Sequence, residues 1–181
     1  CGAIRRYQGA KYLLTPTSNM HYLNKEVLIK MKYISFAIPC YNSEAYMEKA
    51  IQSVLKGGED VEIIIVNDGS KDKTKKIARH YAESYPSIVK AVNKENGGHG
   101  DAVNSGLSHA TGRYFKVVDS DDWVDEEALM KILDAVKGFV QAESEVDMIV
   151  SNYVYEKVGM EHKKVIHYRN VLPQNQIVDY F

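Results

Sequence analysis

The chain has 181 residues, the length of one ordinary domain with or without an added segment. Hydrophobic residues make up 45% of it and charged residues 26%, which is normal for a globular protein. A formal net charge of -1 gives the protein no positive electrostatic field that would attract nucleic acid. Its two cysteines cannot form a disulfide framework, and no apolar run approaches the roughly 20 residues that span a bilayer. These features predict a protein of a reducing compartment, with no nucleic-acid partner and no membrane span in this chain.

The first thirty residues differ from the rest of the chain. They carry five Lys or Arg side chains against a single acid, Glu26, and show no sustained period. Met31 then begins an apolar run that is typical of the natural start of a protein chain. We interpret residues 1–30 as a leader or non-native extension, with an N-terminal helix packed on the domain as the alternative. We expect residues 31–181 to form one domain that continues beyond Phe181.

Strand and helix patterns alternate from Met31 onward. Short apolar or β-branched runs predict strands at residues 33–38, 61–66, 88–92, 114–118 and 146–155. Helical spacing predicts helices that begin at an N-cap of Ser43, at Asp72 or Thr74, at Asp101 and at Glu126. Strands that alternate with helices predict an α/β fold, with a mostly parallel sheet covered by helices on both faces.

Four polar loops follow the predicted strands. Right-handed crossovers bring the carboxyl ends of parallel strands to one edge of the sheet, and open α/β sheets bind their ligands at that edge. We name the loops the first loop (PCYN, 39–42), the second loop (NDGS, 67–70), the glycine loop (NGGHG, 96–100) and the acidic loop (DSDD, 119–122). Their placement predicts a binding site built where they converge.

The acidic loop is the strongest local signal of chemistry. Asp125 before two glutamates is a good helix N-cap, but Asp119 and Asp121 come too early in the chain for that role. An EF-hand loop is excluded because the chain has Trp123, Val124 and Met130 where an oxygen ligand, Gly and Glu are needed. A strand-terminal Asp-x-Asp suits a hard divalent ion that keeps waters and bridges to substrate phosphates.

The other loops allow two interpretations each. Asp68 is a candidate acceptor for a base or ribose donor, or an Asx-turn that caps its own loop. The glycines of the glycine loop let backbone N–H groups approach an anion closely, although the loop is neither a Walker motif nor a dinucleotide fingerprint. Tyr41 either stacks on a base or packs on its own loop. We expect His99 to be a loop residue and Cys40 a small buried filler.

Four sequence blocks together resemble the family 2 glycosyltransferases of the GT-A fold. They are FAIPCYNSEAYMEKAIQSVL, VEIIIVNDGSKDKT, NKENGGHGDAVNSGL and ATGRYFKVVDSDDWVD, in the order and spacing of that family. The resemblance covers residues 32–150. It implies a GT-A domain that binds a nucleotide-diphospho-sugar, with a UDP-sugar as the family's commonest donor, and inverting transfer to an acceptor hydroxyl.

The resemblance also assigns residues to the donor site. It implies that the nucleotide-sugar is bound by Pro39, Tyr41, Asn42, Asp68, Asn96, Gly98, Asn104, Asp119 and Ser120. It implies that Asp119 and Asp121 are the DxD pair that ligates Mg²⁺ or Mn²⁺. Val103 departs from the family pattern, in which many members have Arg at this position. The family's general base lies well downstream, so we assign no catalytic base and expect it beyond Phe181.

The resemblance carries expectations about partners and leaves alternatives open. It implies a saccharide or lipid-linked acceptor, a role in bacterial surface polysaccharide synthesis, and a place in the cytoplasm or at the inner face of the membrane. One alternative is a haloacid dehalogenase-type phosphatase that uses the Asp-x-Asp. Another is a nucleotidyltransferase, and a third is a chain that binds nucleotide-sugar without turnover.

Overall fold

The computed structural model describes the backbone of residues 3–6 and residues 31–144, 146–156, 164–173 and 175–178. The strands are β1 (Ala3–Arg6), β2 (Ile34–Cys40), β3 (Val61–Asp68), β4 (Val89–Lys94), β5 (Tyr114–Val117), β6 (Met148–Val150), β7 (Tyr153–Tyr155) and β8 (Lys164–Ile166). The helices are α1 (Met47–Leu55), α2 (Thr74–Ser84), α3 (His99–His109) and α4 (Glu126–Gln141), with a short 3₁₀ helix at Gly58–Asp60.

The main sheet has the strand order β4-β3-β2-β5-β1-β6. The pairs β4-β3, β3-β2 and β2-β5 are parallel, and β1 runs antiparallel to both β5 and β6. The strands β7 and β8 form a separate antiparallel pair. The predicted mostly parallel sheet is therefore confirmed, and β3 and β2 lie at the centre of its four parallel strands. The prediction that residues 1–30 are a leader or non-native extension stays untested, because only residues 3–6 of that segment are described, as strand β1.

Two layers of apolar side chains cover the sheet, because successive residues of a strand point to opposite faces. Alternate residues of β3, Ile63 and Ile65, join the large core made with α1, α2 and α4. Their neighbours Ile64 and Val66 pack on the other face against Ala102 of α3. Full burial of one such aliphatic side chain contributes roughly 1.5–3 kcal/mol. Helices on both faces are thus confirmed, and they hold the strand ends at one edge.

The helix α3 packs closely on β2, and a glycine makes this possible. A Cβ atom at Gly106 would lie 2.6 Å from the Cβ atom of Ala37, well inside van der Waals contact. Only a residue without a side chain fits there, so the helix backbone rests directly on the strand. This contact holds the start of α3, where the glycine loop ends, close to the ends of the central strands.

A buried carboxylate ties the opposite end of the sheet together, and the apolar strand pattern did not predict it. Glu62 is almost fully buried on β3. It accepts hydrogen bonds from the hydroxyl of Ser35 at 2.6 Å and from the backbone N–H and hydroxyl of Thr111 at 2.8 and 2.9 Å, and it pairs with Lys90. Burial alone would raise the pKa of Glu62, but the hydrogen bonds from Lys90, Ser35 and Thr111 outweigh it and lower that pKa.

Two strand predictions need correction. The strand β2 continues past residue 38 to Cys40, because Pro39 and Cys40 still pair with β3. The adjacent strand β5 pairs with β2 only as far as Ala37, so this end of β2 tolerates a residue without an N–H. The single strand predicted for residues 146–155 is two strands, since β6 joins the main sheet and β7 pairs with β8.

Two helix starts also differ from the prediction. Ser43 does not cap α1, which begins at Met47, because its hydroxyl hydrogen-bonds to Ser120 and its N–H donates to Thr74. The helix α3 begins at His99, two residues before the predicted Asp101. None of the helices in the described part of the chain combines the length and apolar character that crossing a bilayer requires.

Candidate functional site

The first and second loops are joined by reciprocal hydrogen bonds. The backbone N–H of Asn42 donates to the hydroxyl of Ser70 at 3.0 Å, and the side-chain oxygen of Asn42 accepts from the N–H of Lys71 at 2.9 Å. Asn42 has a φ of 50°, a left-handed conformation that Asn tolerates better than most residues. This conformation marks the first loop as a shaped turn, and Tyr41 next to it is half exposed.

The second loop is joined to the glycine loop through Asp68. Its Oδ1 accepts from the N–H of Gly97 at 2.9 Å and lies 2.6 Å from Nζ of Lys94, and its Oδ2 accepts from the N–H of Gly98 at 2.8 Å. Burial raises the pKa of Asp68, but these hydrogen bonds outweigh that effect and lower it. Three of about four acceptor positions of the carboxylate are therefore already used.

A glycine in the second loop permits this close approach. A Cβ atom at Gly69 would lie 2.7 Å from the backbone N of Asn96, and Gly69 has a φ of 69°. Both the space and the backbone conformation exclude an ordinary side chain there. The second loop and the glycine loop thus touch through their backbones.

The acidic loop closes the arrangement on both sides. The hydroxyls of Ser43 and Ser120 lie 2.9 Å apart, which joins it to the residue after the first loop. Nε2 of His99 lies 3.8 Å from Oδ1 of Asp119, which brings it against the glycine loop. When Ser43 is counted with the first loop that it follows, each of the four predicted loops is in contact with two others, and together they form a closed ring.

Positive charge stands among the acids of this loop. Lys116 on β5 is half buried; burial lowers its pKa, while the charges of Asp119 and Asp122 oppose that shift. Burial raises the pKa of Asp122, and the neighbouring charges of Asp121 and Asp119 raise it further. The crowding of carboxylates is thus only partly balanced within the protein.

The donor set fits a divalent cation that shares its coordination with a bound substrate. The side chain of Asp119 is 48% exposed, yet its Oδ1 is shielded from solvent and has no hydrogen-bond partner among the described residues. In the part of the chain that the structure describes, no three His, Cys, Asp or Glu side chains form a complete metal cluster. A hard cation held by one or two carboxylates, with water and phosphate oxygens completing its shell, matches both observations.

Aromatic side chains flank the acidic loop on the side of α1. Trp123 is partly exposed, and Nζ of Lys49 lies 2.9 Å from the centroid of its ring. A pocket of about 280 Å³ opens between α1 and the loop, and it is lined by Glu44, Ala45, Tyr46, Glu48, Lys49 and Asp121. A larger groove of about 600 Å³ lies along α2 and β4, away from the acidic loop, so volume alone does not locate the site.

The separation of Asp125 from the other acids is confirmed. Its Oδ1 accepts from the N–H of Ala128 at 2.9 Å, which is the N-cap interaction that begins α4. Asp119 and Asp121 take no part in that cap. The acids of this stretch therefore serve two purposes, one structural and one directed toward the ring of loops.

The structure brings most of the predicted donor-site residues to the ring. Those on it are Tyr41, Asn42, Asp68, Asn96, Gly98, Asp119, Ser120 and Asp121. Pro39 is buried within β2, and Asn104 is exposed on α3, five residues past its start. Lys94, His99 and Lys116 also reach the ring. Sequence analysis assigned no binding role to any of these three, and it expected His99 to be a loop residue, whereas His99 is the first residue of α3. A lysine or histidine beside acid-rich strand ends could have served as a signal.

Known proteins match this chain in sequence and in fold. The model of the family described as glycosyl transferase family 2 matches residues 35–170. Minor teichoic acid biosynthesis protein GgaB of Bacillus subtilis is 37% identical over 118 residues, which is 64% of this chain and 13% of that protein.

Two solved structures show the same fold. One is S. aureus TarS in complex with UDP-GlcNAc, with a TM-score of 0.52, 30% identity, and coverage of 61% of this chain and 32% of that one. The other is the mannosyltransferase PcManGT from Pyrobaculum calidifontis with GDP-Man and Mn²⁺, with a TM-score of 0.51, 25% identity, and coverage of 60% and 32%. The chain spans about a third or less of the length of these proteins. It belongs to glycosyl transferase family 2, and its fold is that of the GT-A glycosyltransferases.

Proposed function

We propose that this chain is the donor-binding part of a glycosyltransferase that moves a sugar from a UDP-sugar to an acceptor hydroxyl, with inversion and metal assistance. The observation that carries the proposal is the closed ring of four loops, in which Oδ1 of Asp119 is shielded from solvent and has no hydrogen-bond partner in the part of the chain that the structure describes. Family membership supports the reaction class, and TarS with UDP-GlcNAc supports a nucleotide-sugar donor. The similarity to GgaB supports a role in cell-envelope glycan synthesis, with a glycan acceptor.

Each loop takes a defined part in the proposed binding mode. Tyr41 and Asn42, beside the buried Pro39, line the pocket of the base. Asp68 has one acceptor position left for a nucleoside donor, while Lys94 holds the carboxylate in place. Asn96, Gly98, Asn104 and Ser120 complete the nucleotide-sugar contacts. We propose residues 31–181 as this donor-binding domain, and strand β1 (Ala3–Arg6) adds to its main sheet from the preceding segment.

Asp119 and Asp121 would hold Mg²⁺ or Mn²⁺. When bound there, the cation supplies Lewis-acid neutralisation of the charge that develops on the departing nucleoside diphosphate. The complex of PcManGT, a mannosyltransferase of the same fold, with GDP-Man and Mn²⁺ supports a divalent ion here. The protein's own contribution is to place two carboxylates in the turn that follows β5, beside the other loops.

The competing phosphatase assignment is disfavoured by position as well as by family. A haloacid dehalogenase-type enzyme would place its nucleophilic Asp after the first strand of its sheet, whereas Asp119 follows β5, the last of the parallel strands along the chain. Trp123 also stands where that class would have Thr or Val. We therefore assign no nucleophilic role to Asp119.

Calorimetry with UDP in the presence and absence of Mn²⁺ tests the proposal. We expect binding that strengthens with Mn²⁺ in the unmodified protein and loses that dependence in Asp121→Ala. Asp125→Ala is the matched control, because it removes a carboxylate of the same stretch that serves only as the cap of α4. Metal-dependent binding that survives in Asp121→Ala would contradict the metal role.

A turnover measurement distinguishes a chain that transfers the sugar from one that only binds the donor. UDP release from UDP-GlcNAc, measured with and without a glycan acceptor, reports catalysis by this chain. Binding without UDP release would favour a chain that binds the donor but needs further protein for transfer. Hydrolysis of simple phosphomonoesters would instead support the phosphatase.

A further inference from the structure

The backbone of the glycine loop is already engaged in a way that its sequence did not indicate. Glycines before a helix predict that backbone N–H groups bind an anionic ligand directly. In the structure, the N–H groups of Gly97 and Gly98 both donate to the carboxylate of Asp68. These two donors therefore serve the ring itself, so any donor to a ligand at the acidic loop must come from elsewhere on this side.

His99 is placed to be that donor. It is the first residue of α3, directly after Gly98, whose φ of 85° turns the chain into the helix. Its Nε2 lies 3.8 Å from Oδ1 of Asp119, which is too far for a hydrogen bond. The ring nitrogen thus faces the acidic loop without forming a hydrogen bond to it. The carboxylate oxygen that it faces has no hydrogen-bond partner among the described residues.

A nucleoside diphosphate matches this geometry better than a metal ion does. A hard divalent cation prefers oxygen ligands, and the two carboxylates of the acidic loop already offer them. An imidazole N–H at the positive end of a helix favours a negatively charged phosphate oxygen. The helix α3 has eleven residues, so its N-terminal field is that of a full helix.

We propose that His99 binds the diphosphate of the donor, with Nε2 donating a hydrogen bond to a phosphate oxygen beside Asp119. This inference rests on the proposed function. His99 then supplies the contact that the glycine loop cannot make through Gly97 and Gly98. Through this contact, His99 at the start of α3 would favour binding of a nucleoside diphosphate over binding of the free nucleoside.

Comparing UDP with uridine tests the role of His99. Binding of UDP by calorimetry and of uridine by ligand-observed NMR, both with Mn²⁺, is measured for the unmodified protein, His99→Ala and His99→Gln. Loss of a hydrogen bond to a charged group weakens binding about tenfold. We expect His99→Ala to lose about that factor for UDP and nothing for uridine, and His99→Gln, which keeps an N–H donor, to lose less.

His109→Ala is the matched control. His109 is an exposed histidine at the other end of the same helix, and its Nδ1 contacts the carbonyl of Ser105 within α3. We expect this variant to bind UDP as the unmodified protein does. Urea unfolding of His99→Ala verifies that the exposed substitution leaves the fold intact.

Three results would overturn the role of His99. They are unchanged UDP binding in His99→Ala, an equal loss for UDP and uridine, and a loss of Mn²⁺ binding without nucleotide, measured by electron paramagnetic resonance. The last result would make His99 a metal ligand instead. If the unmodified protein fails to bind UDP at all, the proposed function itself fails, and this outcome is distinct from the other three.

Discussion

Lys94 and Asp68 form an ion pair that joins the ends of two neighbouring strands, with Nζ of Lys94 2.6 Å from Oδ1 of Asp68. The carboxylate is only 3% exposed, and the same ammonium group lies 2.6 Å from Oδ2 of Asp101 on α3. The hydrogen bonds to Asp101 and Asp68 raise the pKa of Lys94. One lysine thus ties β4, β3 and α3 together directly beneath the glycine loop, and the shape of that loop depends on the charge of Asp68.

Removing the Asp68 carboxylate is expected to destabilise the protein. In Asp68→Ala the backbone N–H groups of Gly97 and Gly98 lose their acceptor, and each such lost hydrogen bond costs about 1 kcal/mol. Asp68→Asn keeps an acceptor oxygen and should lose less. Urea unfolding at neutral pH measures both variants, and equal stability of all three proteins would contradict the structural role of this carboxylate.

The same site predicts a pH dependence with a definite sign. The pKa of Asp68 is lower in the folded protein than in the unfolded chain, so ionised Asp68 contributes stability. That contribution is fully present above the ordinary Asp value of about 4 and is lost as the pH falls through the lowered folded pKa. The difference in unfolding free energy between the unmodified protein and Asp68→Asn should therefore shrink as the pH drops from 5 toward 3. A difference that stays constant over this range, measured by urea unfolding, would contradict the prediction.

Glu62 should matter for the fold without touching the donor site. Glu62→Ala leaves the hydroxyl of Ser35 and the N–H of Thr111 without their buried acceptor, and we expect a loss of about 2 kcal/mol or more. Ser87→Ala is a suitable control, because its hydroxyl donates to the exposed Glu59 at the surface. Urea unfolding gives the stability change, and an unchanged midpoint in Glu62→Ala would refute the role of the network.

Two glycine-to-alanine substitutions separate packing from helix propensity. Both Gly106 and Gly138 lie inside helices, where alanine is favoured by about 1 kcal/mol. A Cβ atom at Gly138 meets nothing within 4 Å, whereas at Gly106 it would lie 2.6 Å from the Cβ atom of Ala37. We expect Gly138→Ala to stabilise the protein and Gly106→Ala to be less stable than Gly138→Ala by about 1–3 kcal/mol. Thermal unfolding measures the change in melting temperature of both variants. Equal changes in the two variants would contradict the close contact at Gly106.

Cys40 should resist thiol reagents in the folded protein. Burial raises the pKa of Cys40 to about 12, so almost no thiolate forms at neutral pH, and the thiolate is the reactive species. Iodoacetamide treatment followed by mass spectrometry of the Cys40 peptide should show modification only after denaturation. Rapid modification of that peptide in the native protein would contradict the buried position.

The edge of the site could be predicted from sequence because it depends on local patterns. Apolar and β-branched runs mark the strands, and the polar loops follow at their carboxyl ends. Right-handed crossovers then bring those ends to one edge. The same local logic correctly assigned Asp125 to a helix cap, since capping involves residues three apart. It failed for Ser43, because the hydroxyl found a partner in Ser120, far along the chain.

By itself, the sequence determined the alternation of strands and helices, the mostly parallel character of the sheet, and the four loops that meet at its edge. Only the tertiary structure decided which donors and acceptors are already used there. It showed that Asp68 engages Gly97 and Gly98, that Glu62 is a buried anchor, and that His99 faces Asp119. The physical reason is that hydrogen-bond partners depend on the spacing of backbones from distant segments, which is set when the helices pack on both faces of the sheet.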